Sequence, residues 1–365
     1  MKKIGIITFH NAHNYGAILQ TYALQKVLKA ETFIIDYRNN QVDNQYKVIR
    51  PLTRNIKKTI RQLLSDLYHV KARYLKNRNF KRFIKVNLKL SRKYKSIESL
   101  KKNPPKADIY ITGSDQVWNT SIVGELSDAY TLNFGSSQTK KISYAASIGH
   151  KEIDKQYIEE YKTKISKLNA ISVREEDAKV ALNKIIDNNI DVVLDPTLLI
   201  KKEEWIKEIE NYSIKQEKYI LTYVVEDNEE QTKIVDYLSD ITGYRIIEFS
   251  LRNHHKNIIG NAYVEGPLEF INLIKNAEYI VTTSFHATAF SILFEKKFFV
   301  VPHIETGSRV TNLLEKLGIE NRKFYNLEEF KKIDFEKEIN YMDINKRLEK
   351  LREESFTFLK NAIGN

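Results

Sequence analysis

The sequence predicts an α/β protein of two sequential domains, each built on a parallel sheet. At 365 residues the chain exceeds one ordinary compact core. Short apolar runs alternate with amphipathic stretches of helical spacing from end to end. Two such series are joined by residues 200–216, and no internal repeat relates them. The expected boundaries are 1–200 for the first domain, 217–340 for the second and 341–365 for a terminal helix. A basic helical insertion occupies about 50–103 of the first domain.

In chain order, residues 4–9 form the first apolar run. A polar turn rich in His and Asn follows, then a stretch in which Leu19 shares a helix face with Tyr22 and Ala23. Residues 32–36 are the second strand, so the chain opens as β-loop-α-β. The first loop lacks Gly-x-Gly-x-x-Gly, which argues against a dinucleotide site. After Pro104-Pro105 the strands resume at 107–111, 141–149, 170–176 and 191–199, with helices at 157–165 and 180–186 between them. The second series has strands at 219–225, 244–249 and 298–302, and its stretch 279–294 passes from a strand through small hydroxyl residues into a helix. Further helices are expected at 231–242 and 267–276, and 307–318 is a loop and helix ended by Gly318. Such series imply two Rossmann-like domains facing a cleft.

Composition narrows the class. A hydrophobic content of 42% supports real cores, while 12 Gly and 6 Pro exclude collagen-like and low-complexity chains. No apolar run is long enough to cross a bilayer as a helix. The N-terminal apolar run is only a strand's length and leads into His10-Asn11, so it reads as a strand rather than a signal peptide. With no cysteine there is neither a disulfide framework nor thiolate chemistry, which is compatible with a cytoplasmic protein.

The net charge of +12 is concentrated. Between Arg54 and Lys102 stand 17 Lys/Arg against two acids, a local +15 that leaves −3 for the rest. A near-neutral chain with one basic insertion is not the pattern of a nucleic-acid binder. Leu63, Leu64, Leu67, Tyr68, Phe80, Phe83 and Ile84 punctuate the charges. Helices with apolar stripes and Lys/Arg-rich outer faces are expected, able to lie on an anionic membrane surface or to form an ordinary solvated face.

In open α/β sheets, ligands bind beyond the carboxyl ends of the strands. The polar residues at those ends are Asn11, Asn14, Tyr15, Ser114, Asp115, Gln116, Trp118, Asn119, Ser147 and Arg174 in the first domain. In the second they are Ser284, His286 and Arg309. Thr282, Thr283 and Ser284 are N-cap types, so that strand end opens a helix. A helix start offers backbone N–H groups and a positive dipole end to an anion. Arginines suit carboxylate or phosphate, and Asp115 and His286 can move a proton. Metal binding has little support. His254 and His255 are adjacent and face opposite ways in a strand, and His10 and His13 have no carboxylate or cysteine partner at ligand spacing. There is no Gly-x-Ser-x-Gly elbow and no P-loop.

The run Ile111-Thr112-Gly113-Ser114-Asp115-Gln116-Val117-Trp118-Asn119 resembles the polysaccharide pyruvyl transferase family. So do Asn14-Tyr15-Gly16-Ala17, Ser143-Tyr144-Ala145-Ala146-Ser147-Ile148-Gly149, Ile171-Ser172-Val173-Arg174-Glu175, Leu194-Asp195-Pro196-Thr197 and Thr283-Ser284-Phe285-His286, in family order. The resemblance implies a GT-B-like architecture. It also implies transfer of the enolpyruvyl carbons of phosphoenolpyruvate onto two sugar hydroxyls, giving a pyruvate ketal and phosphate. Phosphoenolpyruvate is then a substrate, and no cofactor is required. By position Arg174 and His286 match the family's arginine and histidine, whereas Arg309 falls where some relatives place a lysine. Many relatives carry a glycine-rich turn where this chain has Gly113-Ser114-Asp115-Gln116.

On this basis Arg174, Arg309 and Ser284 are expected at the donor's anions, and His286 and Asp115 in proton transfer. Asn14, Ser114, Gln116 and Trp118 are expected at the substrates, Trp118 by stacking on a sugar. The partners are phosphoenolpyruvate and a sugar or lipid-linked acceptor, with no nucleic acid. The enzyme is expected in the cytoplasm, in peripheral contact with the inner face of the membrane. The rival expectations are a nucleotide-sugar glycosyltransferase of the same architecture and a non-catalytic module that docks on anionic surfaces.

Overall fold

The structure, a computed structural model, describes residues 2–49, 56–212, 217–224, 228–302 and 307–364. Residues 213–216 of the expected linker, residue 225 of one expected strand and the start of the basic segment lie outside the described residues. The chain divides into two compact units. The first comprises Met1–Val70, Phe80–Leu199 and Lys350–Asn365; the second comprises Lys71–Asn79 and Ile200–Glu349.

The first unit is built on β1 (Lys3–Ile7), β2 (Glu31–Tyr37), β3 (Leu90–Tyr94), β4 (Ile109–Thr112), β5 (Lys140–Ala146), β6 (Ala170–Val173) and β7 (Ile190–Val192). They make one sheet in the order β3-β2-β1-β4-β5-β6-β7, and every pairing is parallel. β4 is buried at every position, as befits a strand covered by helices on both faces. The order reverses between β1 and β4, where crossovers leave in opposite directions, the point at which ligands bind in open α/β sheets.

The second unit has β8 (Tyr219–Tyr223), β9 (Arg245–Phe249), β10 (Ile258–Asn261), β11 (Tyr279–Thr282) and β12 (Lys297–Val300). Their order is β10-β9-β8-β11-β12, again all parallel. Its core gathers Ile220, Ile234, Leu238, Val281, Phe299 and Phe330. Both units are therefore Rossmann-like, as the sequence predicts. Among the described residues no helix is long and apolar enough to cross a membrane.

Four local expectations are corrected. β3 lies inside the segment expected to be helical; Arg92 and Lys93 give that edge strand its charge, which discourages further pairing. β10 stands where no strand is expected. The expected strand over 191–199 ends at Val192, and Pro196–Leu199 is a helical turn. Asp195 starts that turn by accepting hydrogen bonds from Thr197 N at 3.0 Å and Thr197 Oγ1 at 2.8 Å, and proline is at home in a first helical position. The fourth concerns helix faces. Val70–Asn87 buries Phe80, Phe83 and Ile84 as expected, but Ile56–Tyr68 turns Leu64, Leu67 and Tyr68 outward and buries Asp66.

Unit membership also departs from a simple linear division. Within the second unit, Asn79 Nδ2 donates to Val264 O at 2.8 Å and the Lys76 ammonium lies 4.5 Å from the Tyr263 ring centroid. These contacts tie Lys71–Asn79 of the basic insertion to the loop after β10. The helix Tyr341–Ile363 ends in the first unit, where Arg352 Nε donates to Leu198 O at 2.6 Å and Ser355 Oγ accepts from Leu194 N at 2.9 Å.

Candidate functional site

In the first unit the expected residues do collect at the carboxyl ends of the strands. The loop after β1 ends at Asn14, whose Oδ1 caps the helix Tyr15–Val27 by accepting from Gly16 N at 2.9 Å and Ala17 N at 3.2 Å. The turn after β4 begins at Gly113, with φ +117°, and reaches Asp115 at φ 75°. A Cβ on Gly113 would stand 2.1 Å from the Tyr144 carbonyl oxygen, so only glycine fits. Asp115 Oδ1 accepts from Gln116 N at 2.9 Å, and its carbonyl accepts from Ser147 N at 3.0 Å. The β4 and β5 turns are thus fastened to each other.

Ser114 is fully buried. Its N–H donates to Gln20 Oε1 at 3.1 Å and its hydroxyl donates to Asp195 Oδ2 at 3.0 Å. Arg174 Nη1 reaches the same Asp195 oxygen at 3.0 Å, and its Nε lies 3.5 Å from Glu175 Oε2. Glu175 in turn accepts from the Ser147 hydroxyl. Burial opposes the charge on Arg174, but Glu175, Asp195 and Asp115 outweigh it and raise the guanidinium above its ordinary pKa. The ends of β4, β5, β6 and β7 are therefore held by one buried polar network. Glu175 and Asp195 are the members that sequence reading left out of the site. The signal for Asp195 was present in Asp195-Pro196-Thr197, an acidic cap followed by proline and a hydroxyl.

Two expected substrate contacts have structural roles. Trp118 is 0% exposed, sits in the main core of the first unit and donates from Nε1 to Tyr130 O at 3.0 Å. Its ring presents no face on which a sugar could stack, which corrects that expectation. Gln116 Oε1 accepts from Asn119 Nδ2 at 2.8 Å and so braces its own turn. A second unforeseen pair lies at the ends of β1 and β2, where His10 Nε2 meets Asp36 Oδ1 at 3.0 Å and Arg38 Nε meets the same oxygen at 2.6 Å. Burial would raise the Asp36 pKa, but His10 and Arg38 prevail and hold it below the ordinary carboxylate value.

In the second unit, β11 ends at Thr282 and Ser284 caps the helix Phe285–Leu293, its Oγ accepting from Ala287 N at 3.4 Å. Ser284 N donates to Thr282 Oγ1 at 3.0 Å, and Thr288 Oγ1 donates to Ser284 O at 2.9 Å. Every residue of this helix is buried, including His286 in its first turn. The imidazole meets the Phe285 ring edge-on, with centroids 5.1 Å apart. Arg309 is half-buried in the first turn of the helix Ser308–Leu317. His254 and His255 pair separately, with Glu248 and with Asp236 (2.8 Å to His255 Nδ1). Both stand in the loop between β9 and β10, so the alternation of a strand does not apply to them, and among the described residues no group of three His, Cys, Asp or Glu could hold a metal ion.

Residues 14–304 match the family model described as polysaccharide pyruvyl transferase. No curated protein matches the sequence. Among solved structures, UDP-N-acetylglucosamine 2-epimerase from Rickettsia bellii is similar at TM-score 0.52 and 12% identity, covering 99% of this chain and 96% of that one. A UDP-GlcNAc 2-epimerase from Methanocaldococcus jannaschii, in complex with UDP-GlcNAc and UDP, is 16% identical (96% and 93% covered, TM-score 0.47). Arabidopsis thaliana UGT89C1 is 11% identical (99% and 97% covered, TM-score 0.48). At these identities the likeness is one of fold, and the Rickettsia bellii structure carries it. The architecture is GT-B-like.

Proposed function

The chain belongs to the polysaccharide pyruvyl transferase family, and from that membership we propose that it transfers the pyruvyl group of phosphoenolpyruvate. The acceptor is a sugar of a cell-surface polysaccharide or of its lipid-linked precursor. The observation that supports this reading most is the extent of the family match, 14–304, which takes in Asn14, Asp115, Arg174, Ser284 and His286 but not Arg309.

The chemistry assigns the roles. One sugar hydroxyl adds to the central enol carbon of the donor while the methylene carbon takes up a proton and becomes the methyl group. The second hydroxyl then displaces phosphate from the same carbon and closes the ketal, its proton leaving with the phosphate. This needs a base for the first hydroxyl and an acid for carbon. An imidazole can take up a proton at one ring nitrogen and give one up at the other, which makes His286 the first choice for proton transfer; Asp115 is the second. Arg174, Arg309 and Ser284 are assigned to the carboxylate and phosphate of the donor, with the helix start at Phe285 supplying positive dipole. Asn14, Ser114 and Gln116 hold the turns that frame the first-unit strand ends.

The deciding experiment incubates the protein with phosphoenolpyruvate and a panel of sugar acceptors and looks for phosphate release with the mass gain of a ketal. In parallel, phosphoenolpyruvate should raise the melting temperature and nucleotide-sugars should not. Stabilisation by nucleotide-sugars, with no ketal from any acceptor, would establish a glycosyltransferase instead.

A further inference from the structure

The helix Ile56–Tyr68 presents four of its large apolar residues to solvent. Ile60 is 53% exposed, Leu64 64%, Leu67 63% and Tyr68 84%. Their spacing of three and four places them on one face, and Lys57 and Arg61, also exposed, lie on that face too. On the other side of the same helix Asp66 is buried, at 1% exposure. An ordinary surface helix does the reverse, turning leucines to the core and acids to water. Scattered exposed apolar residues need no explanation, but a row of two leucines, an isoleucine and a tyrosine on one helix of 13 residues does.

The charge around the row says what covers it. The segment from Arg54 to Lys102 carries 17 Lys/Arg against two acids. A second copy of this chain would bring an equally basic segment to the contact, with like charges opposed. An anionic bilayer brings the opposite sign and an apolar interior in one surface. We propose that the Ile60–Leu64–Leu67–Tyr68 face of this helix docks the protein on an anionic membrane. The helix lies in the interfacial plane, its leucines enter the acyl boundary, Tyr68 sits at headgroup level, and Lys57 and Arg61 meet the lipid phosphates. Binding of this kind needs neither donor nor acceptor, so it is read independently of the proposed pyruvyl transfer.

The test is flotation of the full chain with vesicles of phosphatidylglycerol and phosphatidylcholine in equal parts, against vesicles of phosphatidylcholine alone. The wild type should float with the first and not with the second, and high salt should release it. Leu64→Ser/Leu67→Ser should lower partitioning at least about tenfold with an unchanged melting curve, because both side chains are already in water. Lys57→Gln/Arg61→Gln should lower it roughly fivefold per charge removed. Failure of the wild type to float on anionic vesicles overturns the proposal, as does equal flotation of the leucine variant. A dimer that dissociates in the leucine variant, without vesicle binding by the wild type, would also overturn it and would assign the face to a second copy. Phosphate release on a soluble acceptor is followed in both variants and should be unchanged.

Discussion

Arg174 and Asp195 meet through a hydrogen bond of 3.0 Å from Nη1 to Oδ2, with side chains 2% and 0% exposed. Asp195 also accepts from Ser114 and from both the amide and the hydroxyl of Thr197. Removing its carboxylate takes one partner from a buried guanidinium and from three other donors. Asp195→Ala should therefore destabilise the first unit by about 3–5 kcal/mol, with Asp195→Asn intermediate. Urea unfolding measures this, and a loss below about 1 kcal/mol would show that the pair is replaceable.

Arg174 itself carries a planar fork that Lys cannot reproduce. Arg174→Lys keeps the charge but should raise the Michaelis constant for phosphoenolpyruvate at least about tenfold. Steady-state phosphate release reads it, and an unchanged constant would remove Arg174 from donor binding.

His286 stands in the first turn of a wholly buried helix. His286→Ala should lower phosphate release from phosphoenolpyruvate by at least about 100-fold while circular dichroism stays native. His286→Gln, closer in volume, separates lost proton transfer from a packing defect. Near-normal turnover in the Gln variant would take the imidazole out of the mechanism.

Gly113 has no room for a side chain, since the carbonyl it faces belongs to the backbone of the neighbouring strand. Its positive φ adds strain for any other residue. Gly113→Ala should cost about 2 kcal/mol or more and misplace Asp115. A melting temperature equal to wild type would contradict the tightness of the turn.

Asp36 makes a pH-dependent contribution whose sign follows from its lowered pKa. The folded state binds this proton less readily than the unfolded chain, so the carboxylate stabilises the fold above its ordinary value of 3.8. That contribution fades as pH falls through the lower folded value. The gap in urea midpoint between wild type and Asp36→Asn should be widest near neutral pH and close in acid. A gap independent of pH would mean that the His10–Asp36–Arg38 cluster is held by packing.

Much of the geometry at the strand ends is legible in the sequence alone. Ser284 looks like a cap because a hydroxyl follows an apolar run, and the structure makes it one. Arg174 and His286 stand after runs that can only be buried strands. Trp118 was not legible. An indole beside a polar turn reads equally as a sugar platform or as a core anchor, and only its long-range bond to Tyr130 O decides. Glu175 reads as part of the strand expected over 170–176, although it lies beyond the end of β6 and is buried against Ser147 and Arg174.

By itself, the sequence determined the α/β class, the two parallel series and the strand ends at which polar residues gather. These follow from local periodicity and capping, which act over a few residues. Tertiary structure alone decided which of the polar residues brace one another, because Ser114, Arg174 and Asp195 meet only when the ends of β4, β6 and β7 converge across the end of β5. It likewise decided which face of Ile56–Tyr68 looks outward. Helical spacing divides residues into faces, but burial depends on what the rest of the chain brings against each one, and here it is Asp66 rather than Leu64 and Leu67 that is covered.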